Sequence, residues 1–66
     1  MNVVINGEAR EILPGTTVGL LLEQLGITRG RVAVEVGLEI VPKPRYDEYT
    51  LQDGDRIEIV QFVGGG

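Results

Sequence analysis

The chain has 66 residues, none of them cysteine or histidine, and ten acidic against six basic side chains give it a net charge of −4. A chain of that length makes one small domain that buries roughly 60% of its unfolded surface, too thin a core to enclose a metabolite. Without thiols or imidazoles there is no disulfide, no thiolate or imidazole zinc site, and no histidine to act as a base near neutral pH.

Composition therefore points away from an enzyme and toward a module that works with a partner. The acidic surface disfavours nucleic acid and anionic lipid as partners. No segment reads as a secretion signal or an apolar membrane span, so a cytoplasmic location is expected.

Asn2–Asn6 ("NVVIN") has β-branched residues in its middle and suits a short strand. Asn6-Gly7 supplies the positive φ angles of a tight hairpin turn, with Arg10–Leu13 expected as the returning strand and Pro14-Gly15 as its end. Thr16 and Thr17 offer a helix-capping hydroxyl. Val18, Leu21, Leu22 and Leu25 then form one apolar stripe at helical period. Gly19 weakens this helix by up to about 1 kcal/mol relative to alanine, and Gly26 is placed to end it in a left-handed conformation.

After the loop "GITRG", Val32, Val34 and Val36 alternate with Ala33 and Glu35, the pattern of a strand with one apolar face. Glu39–Val41 is expected as a short fourth strand. "PKPRYDEYT" reads as irregular, with Tyr46 and Tyr49 at the core edge. Gln52–Asp55 ("QDGD") is a turn rather than a cation loop, because Asp53 and Asp55 lack further ligands. Arg56–Phe62 is the last and longest strand.

One helix on one face of a mixed sheet of four to five strands gives an α+β roll of the ubiquitin-like β-grasp kind, its first and last strands parallel at the centre. Residues 1–63 form that domain and 64–66 a flexible glycine tail. In the last strand Ile57 and Ile59 should face the helix, which leaves Val60 and Phe62 on the opposite face as a docking patch together with Val63. Val63–Gly66 fully extended reaches roughly 13 Å. Glycines without Cβ can thread a narrow channel, so Gly64 and Gly65 suit entry into a partner's active site. Gly66 would present a carboxylate for activation with ATP.

Taken together, "INGEAREI" (Ile5–Ile12), "TTVGLLLEQLGI" (Thr16–Ile27), "VAVEV" (Val32–Val36), "LQDGDRIEIV" (Leu51–Val60) and Gly65-Gly66 resemble the ThiS family, the sulfur carriers of thiamin biosynthesis. The resemblance runs in order along nearly the whole chain. It departs at Val36–Glu39, where the family often has an Asn-Gly turn and this chain has Gly37-Leu38. Gly64 is an additional glycine before the diglycine.

The resemblance implies a cycle. A ThiF-type adenylyltransferase joins AMP to the Gly66 carboxylate, sulfur from a cysteine desulfurase route converts it to a thiocarboxylate, and a ThiG-type thiazole synthase takes that sulfur into the thiazole ring. It implies no cofactor bound by the chain itself; ATP belongs to the activating partner. The small subunit of molybdopterin synthase is similar in fold and tail. A ubiquitin-like protein modifier and a β-grasp regulatory module of the TGS type are alternatives. The single Lys43 argues against self-linked chains, and the acidic charge against RNA binding.

Overall fold

A computed structural model describes residues 1–62. The chain opens with strand β1 (Asn2–Ile5), turns at Asn6-Gly7 with both φ angles positive, and returns as β2 (Glu8–Glu11). This two-residue turn pairs Ile5 directly with Glu8, so the second strand begins two residues before the Arg10 expected from the sequence. The same register ends it: Glu11 lies opposite Asn2, and exposed Leu13 falls beyond the strand. Every residue of β2 is exposed, and its charges blunt a sheet edge that would otherwise be open to pairing.

Helix α1 (Val18–Gln24) is set at both ends by hydrogen bonding. The Thr17 hydroxyl accepts the Leu20 amide at 3.1 Å as N-cap. At the other end Gly26, with φ of 72°, donates to the Glu23 carbonyl and Ile27 to that of Leu22, the paired bonds of a Schellman stop. Val18, Leu21 and Leu22 are fully buried, and Leu25 is half-buried at the C-cap.

A 3-10 turn (Arg29–Arg31) leads into β3 (Val32–Val36), and Gly37-Leu38 joins it to the two-residue β4 (Glu39–Ile40). A second 3-10 turn (Lys43–Arg45) precedes Tyr46, which is 1% exposed and belongs to the core rather than its edge. Two prolines hold this stretch near the backbone of α1, where the Tyr46 carbonyl accepts the Gly19 amide at 2.9 Å. Burial pushes the Tyr46 phenol up from its ordinary pKa, partly opposed by the backbone of Val34. β5 (Arg56–Gln61) closes the fold.

The five strands lie in the order β2-β1-β5-β3-β4, with β5 parallel to β1 and antiparallel to β3. Val3 and Ile5, the three valines of β3, and Ile57 and Ile59 all face α1, and Ile12, Val41 and Leu51 complete the core. The last strand to form in sequence thus occupies the middle of the sheet, held on both sides.

Candidate functional site

The site begins with the pleat of β5. Alternation sends Ile57 and Ile59 into the core and Arg56, Glu58 and Val60 to the open face of the sheet, with Phe62 continuing the same side. Val60 and Phe62 are 54% and 57% exposed, as the sequence pattern requires. Val60 lies opposite half-buried Ala33, so the patch extends across β3. Farther from the tail the same face becomes charged, with Glu58 opposite Glu35.

Two contacts fix the end of this strand. On the β3 side, the Phe62 amide donates to the Arg31 carbonyl at 2.9 Å. On the β1 side, the main-chain ladder runs out at the hairpin, where the Asn6 amide donates to the Ile57 carbonyl at 2.9 Å. The Asn6 side chain supplies the next rung: its Oδ1 accepts the Ile59 amide at 2.7 Å and its Nδ2 donates to the Ile59 carbonyl at 3.1 Å. Asn6 therefore shapes the turn, with φ of 48°, and fastens the exit strand. The sequence marks Asn6 as a turn residue, but nothing local in it reveals a contact 53 positions away.

Beside Gln61, on the helix side, is a cleft of 240 Å³ lined by Ile5, Leu25, Ile27 and Ile59 with the polar Asn6 and Gln61 and the charged Glu8 and Arg10. Gln61 and Phe62 are thus held by the sheet while facing open surface. Val63, Gly64, Gly65 and Gly66, the remaining residues expected to act, lie outside the described residues.

The described residues offer little chemistry of their own. Asp53 and Asp55 are occupied as turn caps: Asp53 Oδ1 accepts the Asn2 amide at 2.8 Å, and Asp55 Oδ2 accepts the Gln52 amide at 2.7 Å. Among the described residues no cluster of carboxylates suits a metal ion. No described helix is long and apolar enough to cross a membrane.

Among the described residues one bidentate ion pair joins Arg29 to Asp47, at 3.0 and 2.6 Å. It draws the Asp47 carboxyl below its usual range, through the hydrogen bond first and charge second. The pair lies over Gly19, where a Cβ would run into the Arg29 guanidinium and the Asp47 carboxylate. Gly19 is thus a packing position as well as a weak helix former, which helical periodicity alone does not signal.

The pattern that defines the ThiS family matches residues 3–66. The sulfur carrier protein ThiS of Escherichia coli is 35% identical over 66 residues, spanning all of both chains. A thiazole synthase of Paramagnetospirillum magneticum is 52% identical over the same 66 residues, which are 20% of that protein. The chain therefore spans about a fifth of the length of the thiazole synthases it matches. The crystal structure of a thiamine biosynthesis protein (ThiS) from Geobacter metallireducens superimposes with a TM-score of 0.85 at 32% identity, covering both chains completely.

Proposed function

The chain belongs to the ThiS family, and from that premise we propose that it carries sulfur on the carboxylate of Gly66 for assembly of the thiazole ring of thiamin. The observation that carries this reading is the end-to-end match with a sulfur carrier, within which Gly65 and Gly66 fall inside the matched range. The reading requires a free carboxylate on Gly66.

A carboxylate is a poor electrophile. In the first step a Gly66 oxygen attacks the α-phosphorus of ATP in a ThiF-type adenylyltransferase and pyrophosphate leaves. The resulting acyl adenylate has a good leaving group, so a persulfide sulfur from a cysteine desulfurase route displaces AMP to give an acyl disulfide. A thiol reductant then cleaves the S–S bond, leaving as part of a disulfide and releasing the thiocarboxylate. That thiocarboxylate is softer and more nucleophilic than the carboxylate it replaces, and it delivers sulfur to a ThiG-type thiazole synthase without free sulfide. None of these 66 residues is a cysteine, so no side-chain thiol among them competes as the sulfur-bearing group.

The domain is not an enzyme in this scheme. It supplies the grip, and its partners supply the catalysis. Val60, Phe62 and Val63 dock the partner while Gly64 and Gly65, lacking Cβ atoms, pass through the channel to its active site. The proximity of carrier and synthase sequences within one polypeptide in Paramagnetospirillum magneticum supports the synthase as the acceptor.

Removing Gly65 and Gly66 together tests the reading, since removing Gly66 alone would leave another diglycine end at Gly64-Gly65. In a reconstituted mixture of ATP, adenylyltransferase, sulfur donor, thiol reductant and thiazole synthase, the deletion variant should form no thiazole. Its thermal midpoint should stay close to that of the parent, because terminal residues contribute little packing. Undiminished thiazole formation by the variant would refute the assignment of Gly66.

A further inference from the structure

Four of the six cationic side chains of this acidic protein, Arg29, Arg31, Lys43 and Arg45, fall in its two short 3-10 turns. The turns are fastened to each other where Lys43 Nζ donates to the Gly30 carbonyl at 3.0 Å. They are fastened to the exit strand where the Phe62 amide donates to the Arg31 carbonyl at 2.9 Å. Arg29 is committed to Asp47 and approaches Glu23. Among the described residues those are the ion pairs, and Arg31, Lys43 and Arg45 are exposed and outside them.

The acids are arranged differently. Asp53 and Asp55 occupy the turn that leads into the opposite end of β5, roughly 20 Å from Phe62 by the rise of a strand. Three exposed cations thus adjoin the end of β5, while Asp53 and Asp55 lie beyond its start, in a chain whose net charge is −4.

We propose that Arg31, Lys43 and Arg45 form a basic collar that docks on an acidic protein surface around the entrance through which the activating enzyme takes the tail. This deepens the carrier reading and rests on it. An acidic rim attracts the collar and repels the Asp53/Asp55 end, so encounters are turned with the tail leading. A protein surface fits better than a polyanion because the collar adjoins exposed Phe62 and Val60 and the rest of the chain is acidic.

The test compares single charge reversals that change the net charge equally: Arg31→Glu and Arg45→Glu in the collar, and Arg56→Glu at the other end of β5. Association with a purified ThiF-type adenylyltransferase is followed across salt concentrations, with and without a non-hydrolysable ATP analogue, on variants whose circular dichroism matches the parent. Each collar reversal should slow association about tenfold at about 0.05 M salt, narrowing to about twofold at about 0.5 M. Arg56→Glu should have a clearly smaller effect, and nucleotide should not alter the pattern.

Equal effects of all three reversals would reduce the collar to net charge and overturn the proposal. An effect seen only with nucleotide would assign the cations to phosphate and overturn it as well. Parent protein that binds normally while the collar variants match it counts against the collar alone. Parent protein that neither binds nor gains sulfur counts against the carrier reading beneath it.

Discussion

Leu38 has a φ of 71° and is 89% exposed, a left-handed residue with a branched side chain turned to the surface. Gly37, at φ of 60°, completes the turn, which has the positive angles that favour Asn-Gly in hairpins. The Gly-Leu order puts the side chain at the worse of the two positions. Leu38→Gly should raise stability by about 1 kcal/mol in chemical denaturation, since the left-handed conformation costs a non-glycine residue about that much. A loss of stability would mean that Leu38 packs on something other than solvent.

Gly19 shows the opposite balance. Alanine would favour the helix by about 1 kcal/mol, yet its methyl group would displace the Arg29–Asp47 pair. Because Asp47 has a lowered pKa in the folded state, its contribution is present above the unfolded carboxyl pKa and is lost as pH falls through the folded one. Gly19→Ala should therefore return the Asp47 titration, followed by NMR, toward the ordinary carboxyl range and weaken the acid dependence of stability. An unchanged Asp47 titration would show that the pair survives the added methyl. The sequence offers Gly19 as a helix defect; that the ends of two side chains from distant turns lie over it is not legible there.

Among the elements, α1 and β3 are the most legible in the sequence. The three valines of β3 and the stripe of α1 are periodic over enough residues to fix both type and buried face. Boundaries are legible only where a residue has one conformational role, as at Thr17 and Gly26. The start of β2 depends instead on counting the turn, and Tyr46 reaches the core because prolines and α1 place it, which no local pattern encodes. The exit strand β5 is readable in its alternation but not in its supports, since the Asn6 rung and the Arg31 contact join residues far apart in sequence.

That alternation makes a prediction about β5. Phe62→Asp changes an exposed side chain at the end of the strand, so it should weaken binding to the adenylyltransferase or the synthase about tenfold or more while folding is little affected. Binding is read by titration calorimetry and folding by thermal denaturation. A variant that unfolds, with binding lost only in proportion, would show that Phe62 serves the core instead of a partner.

For the molecule as a whole, the proposed role separates holding from reacting. The chain places its last strand at the centre of the sheet and ties that strand to β1, β3 and the Asn6 side chain. The position of Phe62 is thereby fixed relative to the open face of the sheet. Along the same axis, cations lie beside the exit and Asp53 and Asp55 beyond the start of β5. The absence of histidine and cysteine accords with the proposed carrier role, in which the partners supply the catalytic groups.

The central claim is that the carboxylate of Gly66 exchanges an oxygen for sulfur, and the most direct measurement is the intact mass of the protein after incubation with ATP, a ThiF-type adenylyltransferase, a sulfur donor and a thiol reductant. The account predicts a mass gain equal to replacement of one oxygen by one sulfur, localised to the C-terminal peptide and absent when ATP is withheld. A mass that stays at the starting value under the full set of reagents, with an established carrier converted alongside, would contradict it.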